Sequence, residues 1–174
     1  MRLIIGVRVP DVLRVILHRS EFFGQHYYSW THSSMRGPSD WSIGQRELFA
    51  AFTSRLNQCQ FCLGHHRATS VQALGIESLV RAVLEDWKTA PLDQKTKAML
   101  AFLRKLTLEP FDVGAADIAP LRAAGLSDAA IEDAIHICAS FNIINRIADA
   151  LAFELPSAKG LARSTEILLT RGYQ

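Results

Sequence analysis

The chain has 174 residues, 49% of them hydrophobic, and a formal charge of +2 from 19 basic and 17 acidic side chains. This length suits one compact domain that can bury enough surface to fold without disulfide bonds. The charge is nearly balanced and no run of lysines and arginines is present, which excludes nucleic acid as the default partner.

The N-terminal residues are apolar but carry arginines at positions 2, 8 and 14. No apolar core of signal-peptide length remains between these arginines. This start is weakly similar to a transit peptide, but a strand-like lead-in before the first helix of a cytoplasmic protein fits it better. No run of about 20 apolar residues occurs, so we expect neither a transmembrane helix nor a membrane partner.

Helix signals follow one another along the chain, and no stretch shows the period-2 alternation of a strand. Asp11 follows Pro10 and opens a first helix to about Gln25, and residues 27–40, rich in serine, glycine and proline, are expected to form a loop. Ser42 is the N-cap of the next helix. That helix continues through residues 47–56. The remaining helices are predicted over 59–74, 77–87 and 94–106, a short segment ending at Gly125, a long helix to about Phe153 with Ser127 as its N-cap, and 158–169.

The sequence therefore predicts an all-α fold, a single-domain bundle of about seven or eight helices over residues 1–174. We expect an N-terminal helix and loop over 1–40, a core over 41–156 and a C-terminal helix over 157–174. Leucine, alanine and isoleucine supply most of the apolar side chains. Such an interior suits helices that pack on helices, with some apolar surface left for an interface between subunits.

Two of the three cysteines, Cys59 and Cys62, form a close pair. An odd count with a close pair differs from a secreted disulfide framework and indicates catalysis, redox exchange or metal binding in a reducing compartment. Both sulfurs lie at the predicted start of a helix, where unpaired N–H groups and positive potential favour a thiolate. A thiolate is the nucleophile toward peroxides, disulfides and metals.

His66 lies four residues after Cys62, so both side chains project from one helix face. An imidazole in that position can take the proton of the thiol or hold the thiolate as an ion pair. His65 points about 100° away from His66, and we expect it to be a surface histidine.

Glu47 is the third candidate, and its role depends on a turn. In one continuous helix it would lie about 18 Å from Cys59, too far for chemistry. If the chain reverses at residues 57–58, Glu47 instead faces the region of His66 and Arg67. A carboxylate there can orient His66 and accept its proton.

Other interpretations of these residues remain open. Half of a zinc site is one, although a single helix cannot easily wrap four ligands around one ion. Two inert core cysteines are another.

In the long helix predicted near the C-terminal end of the core, Cys138 is expected to be a small buried hydrophobe and His136 a hydrogen-bonded core histidine. A polar stripe on the same helix is expected to line a site, form a subunit contact or be a hydrogen-bonded face; it comprises Asn142, Asn145, Arg146 and Asp149.

The spacing of Glu47, Cys59, Cys62 and His66 within RELFAAFTSRLNQCQFCLGHH resembles the motif of the alkylhydroperoxidase AhpD and carboxymuconolactone decarboxylase superfamily. The later stretch GLSDAAIEDAIHICASFNIINRIADALAFELP is similar to the matching helix of its peroxidase-related branch. The resemblance covers about residues 40–156. One departure is Phe61, which stands where AhpD has a histidine between the cysteines.

The resemblance implies an AhpD-like helical fold, homo-oligomers such as dimers, trimers or hexamers, and thiol-dependent reduction of peroxides. By position, Cys62 is implied to be the peroxidatic cysteine and Cys59 the resolving one. His66 and Glu47 are implied to form the proton relay. The implied partners are a peroxide and an external dithiol of the thioredoxin or lipoyl type, and no metal, haem or flavin cofactor is required. The decarboxylase branch generally lacks the cysteine pair.

Three hypotheses follow. The first is a thiol-dependent peroxidase that reduces hydrogen peroxide or organic hydroperoxides. The second is a thiol–disulfide oxidoreductase or redox sensor that cycles the same pair without peroxide. The third is a non-enzymatic helical oligomer whose cysteines are structural.

Overall fold

The computed structural model describes residues 11–173 and contains only helices, turns and loops over that range. The predicted all-α class is confirmed, and the described part has nine α-helices, slightly more than predicted. They are α1 (Asp11–His18), α2 (Gln25–Arg36), α3 (Ile43–Leu56), α4 (Gln60–Leu74), α5 (Glu77–Asp86), α6 (Gln94–Leu108), α7 (Ala119–Ala123), α8 (Asp128–Ala150) and α9 (Ala158–Arg171). The strand-like lead-in predicted for the first residues lies outside the described residues.

Most helix boundaries lie near the predicted positions because side-chain caps set them. The predicted N-caps Ser42 and Ser127 each accept a backbone N–H from three residues further on, which satisfies one free donor of the first turn. Gln45 returns a hydrogen bond to the Ser42 N–H and completes a capping box. Gly75 ends α4 in the left-handed conformation at φ 70°, as expected for a C-terminal glycine.

The prediction of a loop over 27–40 is wrong for its first ten residues, which belong to α2. Tyr27 and Thr31 lie one turn apart and are buried against α8. The Tyr27 hydroxyl donates to the Ser140 carbonyl at 3.1 Å, and the Thr31 and Ser140 hydroxyls lie 3.0 Å apart. Packing against α8 therefore outweighs the weak helix propensity of the local serines.

Two helix ends also differ from the predictions. The first helix, predicted to reach about Gln25, ends at His18, and a π-helical turn over Ser20–Gly24 connects it to α2. The long helix α8, predicted to reach about Phe153, ends at Ala150. The residues that follow α8 pack on the start of α4.

Helix α3 is the centre of the bundle, because it is buried on nearly every side. It pairs with α4 and packs on α6 and α8, while α9 packs on α4 and α2 on α8. The pairing with α4 is antiparallel, since Gly44 lies against Ser70 near one end and Glu47 lies against His66 further along. Among the helices of residues 11–173, none is both long and apolar enough to cross a membrane.

Candidate active site

The turn between α3 and α4 brings the two halves of the predicted site together. Gln58 adopts a φ of 62°, and the Cys59 N–H donates to the Ser54 carbonyl at 3.0 Å. Cys59 is then the N-cap of α4. The predicted chain reversal is present, and it places Glu47 opposite His66.

Glu47 is a fully buried carboxylate with three side-chain donors. Its Oε2 lies 2.7 Å from His66 Nδ1, and its Oε1 accepts from Arg36 Nη2 at 2.5 Å and from the Tyr173 hydroxyl at 3.1 Å. Burial alone raises the pKa of the Glu47 carboxyl, but the charges and hydrogen bonds of His66 and Arg36 outweigh it and lower the pKa below its usual value. Glu47 is therefore ionised at neutral pH.

The ionised Glu47 fixes the tautomer of His66. A carboxylate only accepts hydrogen bonds, so Nδ1 of His66 must carry a proton, and in the neutral imidazole Nε2 then holds the lone pair. The imidazole is also held by rings on both sides: Phe141 meets it edge-on at 4.4 Å, and Tyr173 lies parallel to it at 6.3 Å. This is the arrangement of an oriented general base.

Cys59 and Cys62 are free thiols, buried next to one another. A hydrogen bond between the two thiols lowers the pKa of Cys59, and both that bond and burial raise the pKa of Cys62. The hydrogen bond between the sulfurs therefore favours one thiolate in the pair, with the remaining thiol as its donor. Because the sulfurs share a proton, the pair titrates as a unit.

The polar stripe of α8 lines this cysteine pair. The Asp149 carboxylate is beside Cys59 and raises the pKa of its thiol, and the Asn145 amide lowers the pKa of Cys62. Asn57, in the turn before Cys59, donates to Asn142 and Asn145 at 3.0 and 2.9 Å. The stripe thus ties the turn that carries the cysteines to α8.

Cys138 lies on the buried side of α8, and His136 lies on its exposed side. Cys138 is fully buried, as predicted, with its sulfur 3.3 Å from the Thr107 hydroxyl, and burial raises the pKa of its thiol. The prediction of a core position for His136 is wrong: its side chain is half exposed and accepts from the Trp30 indole at 3.2 Å. Neither residue contacts the cysteine pair.

The prediction that His65 is a surface residue is also wrong. Its side chain is buried, with Nδ1 2.9 Å from the Phe61 carbonyl and its ring 4.5 Å from the Phe61 ring. Phe153, from the segment after α8, packs edge-on against Phe61 at 5.2 Å and helps cover this face. Burial lowers the pKa of His65 from 6.5 to about 4.

This burial predicts a pH dependence of stability that belongs to His65. The unfolded chain takes up a proton at His65 below pH 6.5, whereas the folded protein does so only near pH 4. Stability from this residue is therefore complete above pH 6.5 and lost as the pH falls, by about 2 kcal/mol between about pH 7 and pH 4.5. Denaturant unfolding of wild type and His65→Gln at both pH values tests this, and equal losses in the two proteins would contradict it.

The described residues contain no group of three or more histidines, cysteines or acids placed to hold a metal ion. Cys59, Cys62, His65 and His66 accordingly do not converge on one point.

No protein-family model matches the chain, and no curated protein matches it. An uncharacterised peroxidase-related protein from Silicibacter sp. TM1040 superposes with a TM-score of 0.80 and 31% sequence identity, over 88% of this chain and 79% of that one. The chain belongs to the AhpD-like, peroxidase-related family.

Two further solved structures are similar to the chain. The alkylhydroperoxidase AhpD core of a peroxidase-related protein from Ralstonia eutropha JMP134 matches this AhpD-like protein with a TM-score of 0.78 and 25% identity, over 90% of this chain and 82% of that one. A debrominase solved in complex with 2,3,4-tribromopyrrole has a TM-score of 0.76 at 14% identity, over 91% and 82% of the two chains, and shares the fold.

Two residues of the site were not predicted from the sequence, Arg36 and Tyr173. Arg36 ends α2, which was predicted as a loop, and Tyr173 follows α9. Neither lies within the stretch that resembles the family motif, so only the folded chain brings them to Glu47.

Proposed function

We propose that this AhpD-like protein is a thiol-dependent peroxidase that reduces hydroperoxides through Cys62 and Cys59. The observation that carries the proposal is the buried hydrogen bond between Glu47 of α3 and His66 of α4, since α4 is the helix that begins at the cysteine pair. His66 follows Cys62 by one turn of α4, and a histidine oriented through Nδ1 can activate a thiol in that position through Nε2.

The first step forms one thiolate in the pair. His66 Nε2 takes a proton from the pair, and the negative charge of Glu47 stabilises the imidazolium that results. The Cys62 thiolate then attacks the terminal oxygen of the hydroperoxide, an S–O bond forms and the O–O bond breaks. The leaving alkoxide takes the proton from His66 and departs as an alcohol, or as water from hydrogen peroxide, while Cys62 is oxidised to sulfenic acid.

Cys59 completes the cycle as the resolving residue. His66 takes the proton of the Cys59 thiol, and the Cys59 thiolate attacks the sulfur of the Cys62 sulfenic acid. The S–O bond breaks, a Cys59–Cys62 disulfide forms, and the leaving hydroxide takes the proton from His66 and departs as water. An external dithiol then reduces this disulfide by two exchange steps and is itself oxidised to a disulfide.

The single negative charge of the pair must lie on Cys62 when the peroxide reacts. The shared S–H···S hydrogen bond provides the path, since transfer of one proton between the two sulfurs exchanges thiol and thiolate. The Asn145 amide, which favours the charged form of Cys62, stabilises the product of this transfer.

A steady-state assay tests the function. Consumption of hydrogen peroxide, cumene hydroperoxide and a lipid hydroperoxide is followed with dihydrolipoamide or reduced thioredoxin as the donor. We expect turnover with at least one pair of peroxide and dithiol. If no peroxide is consumed but the protein reduces a disulfide substrate, the oxidoreductase hypothesis replaces this one. If both cysteines are also unreactive toward thiol reagents, the structural hypothesis replaces it.

A further inference from the structure

Glu47 has two carboxylate oxygens, and the structure divides them between different partners. Oε2 contacts His66, whereas Oε1 accepts from Arg36 and Tyr173. We propose that Arg36 and Tyr173 are positioning residues of the peroxidase relay, which hold Glu47 by one oxygen so that the other is reserved for His66. The activity readout of this inference rests on the proposed function.

The orientation of the Arg36 side chain is set by contacts other than the one with Glu47. Its guanidinium donates to the Leu168 carbonyl from Nε and Nη2, at 3.3 and 2.9 Å, and to the Met35 carbonyl from Nη1 at 2.8 Å. The guanidinium also lies 5.1 Å from the centre of the Tyr173 ring. These contacts join α2 to the end of α9 and leave the planar group one orientation, with Nη2 directed at Glu47.

Tyr173 reaches Glu47 because the chain turns inward at Gly172. Gly172 has a φ of 68°, and a Cβ there would lie 2.9 Å from the His32 ring and 3.0 Å from Cγ of Arg36. The Tyr173 N–H donates to His32 Nδ1 at 3.2 Å. A left-handed backbone with this little space requires glycine, so the inward position of Tyr173 is built into the chain.

The ionisable groups that face Glu47 come from four elements. They are Arg36 of α2, Arg46 of α3, His66 of α4 and Tyr173 after α9. From α8, Asp133 acts on Arg46, and Phe141 covers His66 with an uncharged ring. Arg36 is the cation bonded directly to the carboxylate, so removing it leaves a buried anion whose pKa must rise.

The sign of the pH effect follows from the form of Glu47 that the relay needs. The relay works with the carboxylate, which is lost as the pH falls through the pKa of Glu47. A variant that raises this pKa moves the acid limb of the rate profile to higher pH. A residue that only supports packing lowers stability and leaves the limb in place.

The test compares Tyr173→Phe, which keeps the ring and removes the hydroxyl, with Tyr28→Phe, which removes the hydroxyl of a half-buried tyrosine outside the site. The pH profile of kcat/KM and that of cysteine alkylation by iodoacetamide are measured, with the alkylated residue identified by mass spectrometry. We expect Tyr173→Phe to lower kcat/KM about tenfold at neutral pH, a fraction of a full acid–base contribution, and to move both acid limbs to higher pH. Tyr28→Phe should match wild type.

Arg36 variants extend the test. We expect Arg36→Met to lower kcat/KM about a hundredfold and to move the limb further, and Arg36→Lys to restore much of both. Gly172→Ala, which displaces Tyr173, should resemble Tyr173→Phe. If Arg36→Met does not fold, the comparison of Tyr173→Phe with Tyr28→Phe tests the proposal on its own.

The two failures are distinguishable. Turnover by wild type with an unchanged profile in Tyr173→Phe would overturn this inference and leave the peroxidase intact. Absence of turnover in wild type would overturn the proposed function, and the alkylation profiles would then decide the inference: shifted limbs support it and coincident limbs overturn it.

Discussion

Replacing Cys62 with serine is expected to lower the rate of hydroperoxide consumption about a thousandfold or more, the scale of loss when a nucleophile is removed. A serine hydroxyl has nearly the size of the thiol but does not ionise near neutral pH and cannot be oxidised to a sulfenic acid. The measurement is steady-state peroxide consumption with a supplied dithiol. Peroxide turnover within a few fold of wild type would contradict the assignment of Cys62.

Cys138→Ser is the matched control for that experiment. It removes the third buried thiol, and a serine there can keep the hydrogen bond to the Thr107 hydroxyl. We expect activity close to that of wild type. Cys59→Ser separates the two roles within the pair, because it should still form one sulfenic acid per chain but no intramolecular disulfide.

Replacing Glu47 with glutamine is expected to lower kcat/KM by about a hundredfold to a thousandfold, the range of a lost acid–base contribution. The amide carries no charge to stabilise the His66 imidazolium and leaves the Arg36 guanidinium, which is 8% exposed, without its carboxylate. Breaking a buried ion pair in this way also costs about 3–5 kcal/mol of folding stability. Activity is therefore measured well below the unfolding midpoint, with circular dichroism as the check on folding.

His66→Gln tests the same relay without disturbing the pair of Arg36 and Glu47, and it should lose activity to a similar extent. Glu132→Gln on the exposed side of α8 is the control for loss of one negative charge. Unchanged kcat/KM in both Glu47→Gln and His66→Gln would show that the cysteine pair acts without this relay.

The sequence was sufficient to predict the contact between Glu47 and His66, because that contact depends on local signals. A cap at Ser42, a break at residues 57–58 and a helix that starts at the cysteines determine a helical hairpin, and the spacing then brings position 47 opposite position 66. Each of these signals spans a few residues and has a stereochemical cause that the sequence displays.

The partners of Glu47 from outside the hairpin were not predictable in the same way. Arg36 and Glu47 are separated by eleven positions, but α2 was predicted as a loop because its serines and polar side chains hide the buried face that packs on α8. Tyr173 meets Glu47 from 126 positions away through a turn at a glycine. His65 was misplaced for a related reason: its ring packs against Phe61, and Phe153 from another segment packs on that phenylalanine.

A single-turnover experiment on the reduced protein tests the central claim most directly. One equivalent of hydroperoxide is added without any dithiol, free thiols are counted, and the peptides are mapped by mass spectrometry. A redox-active pair predicts the loss of two thiols per peroxide consumed, a Cys59–Cys62 disulfide and a Cys138 that stays reduced. Peroxide that remains unconsumed while Cys59 and Cys62 stay as free thiols would contradict the account.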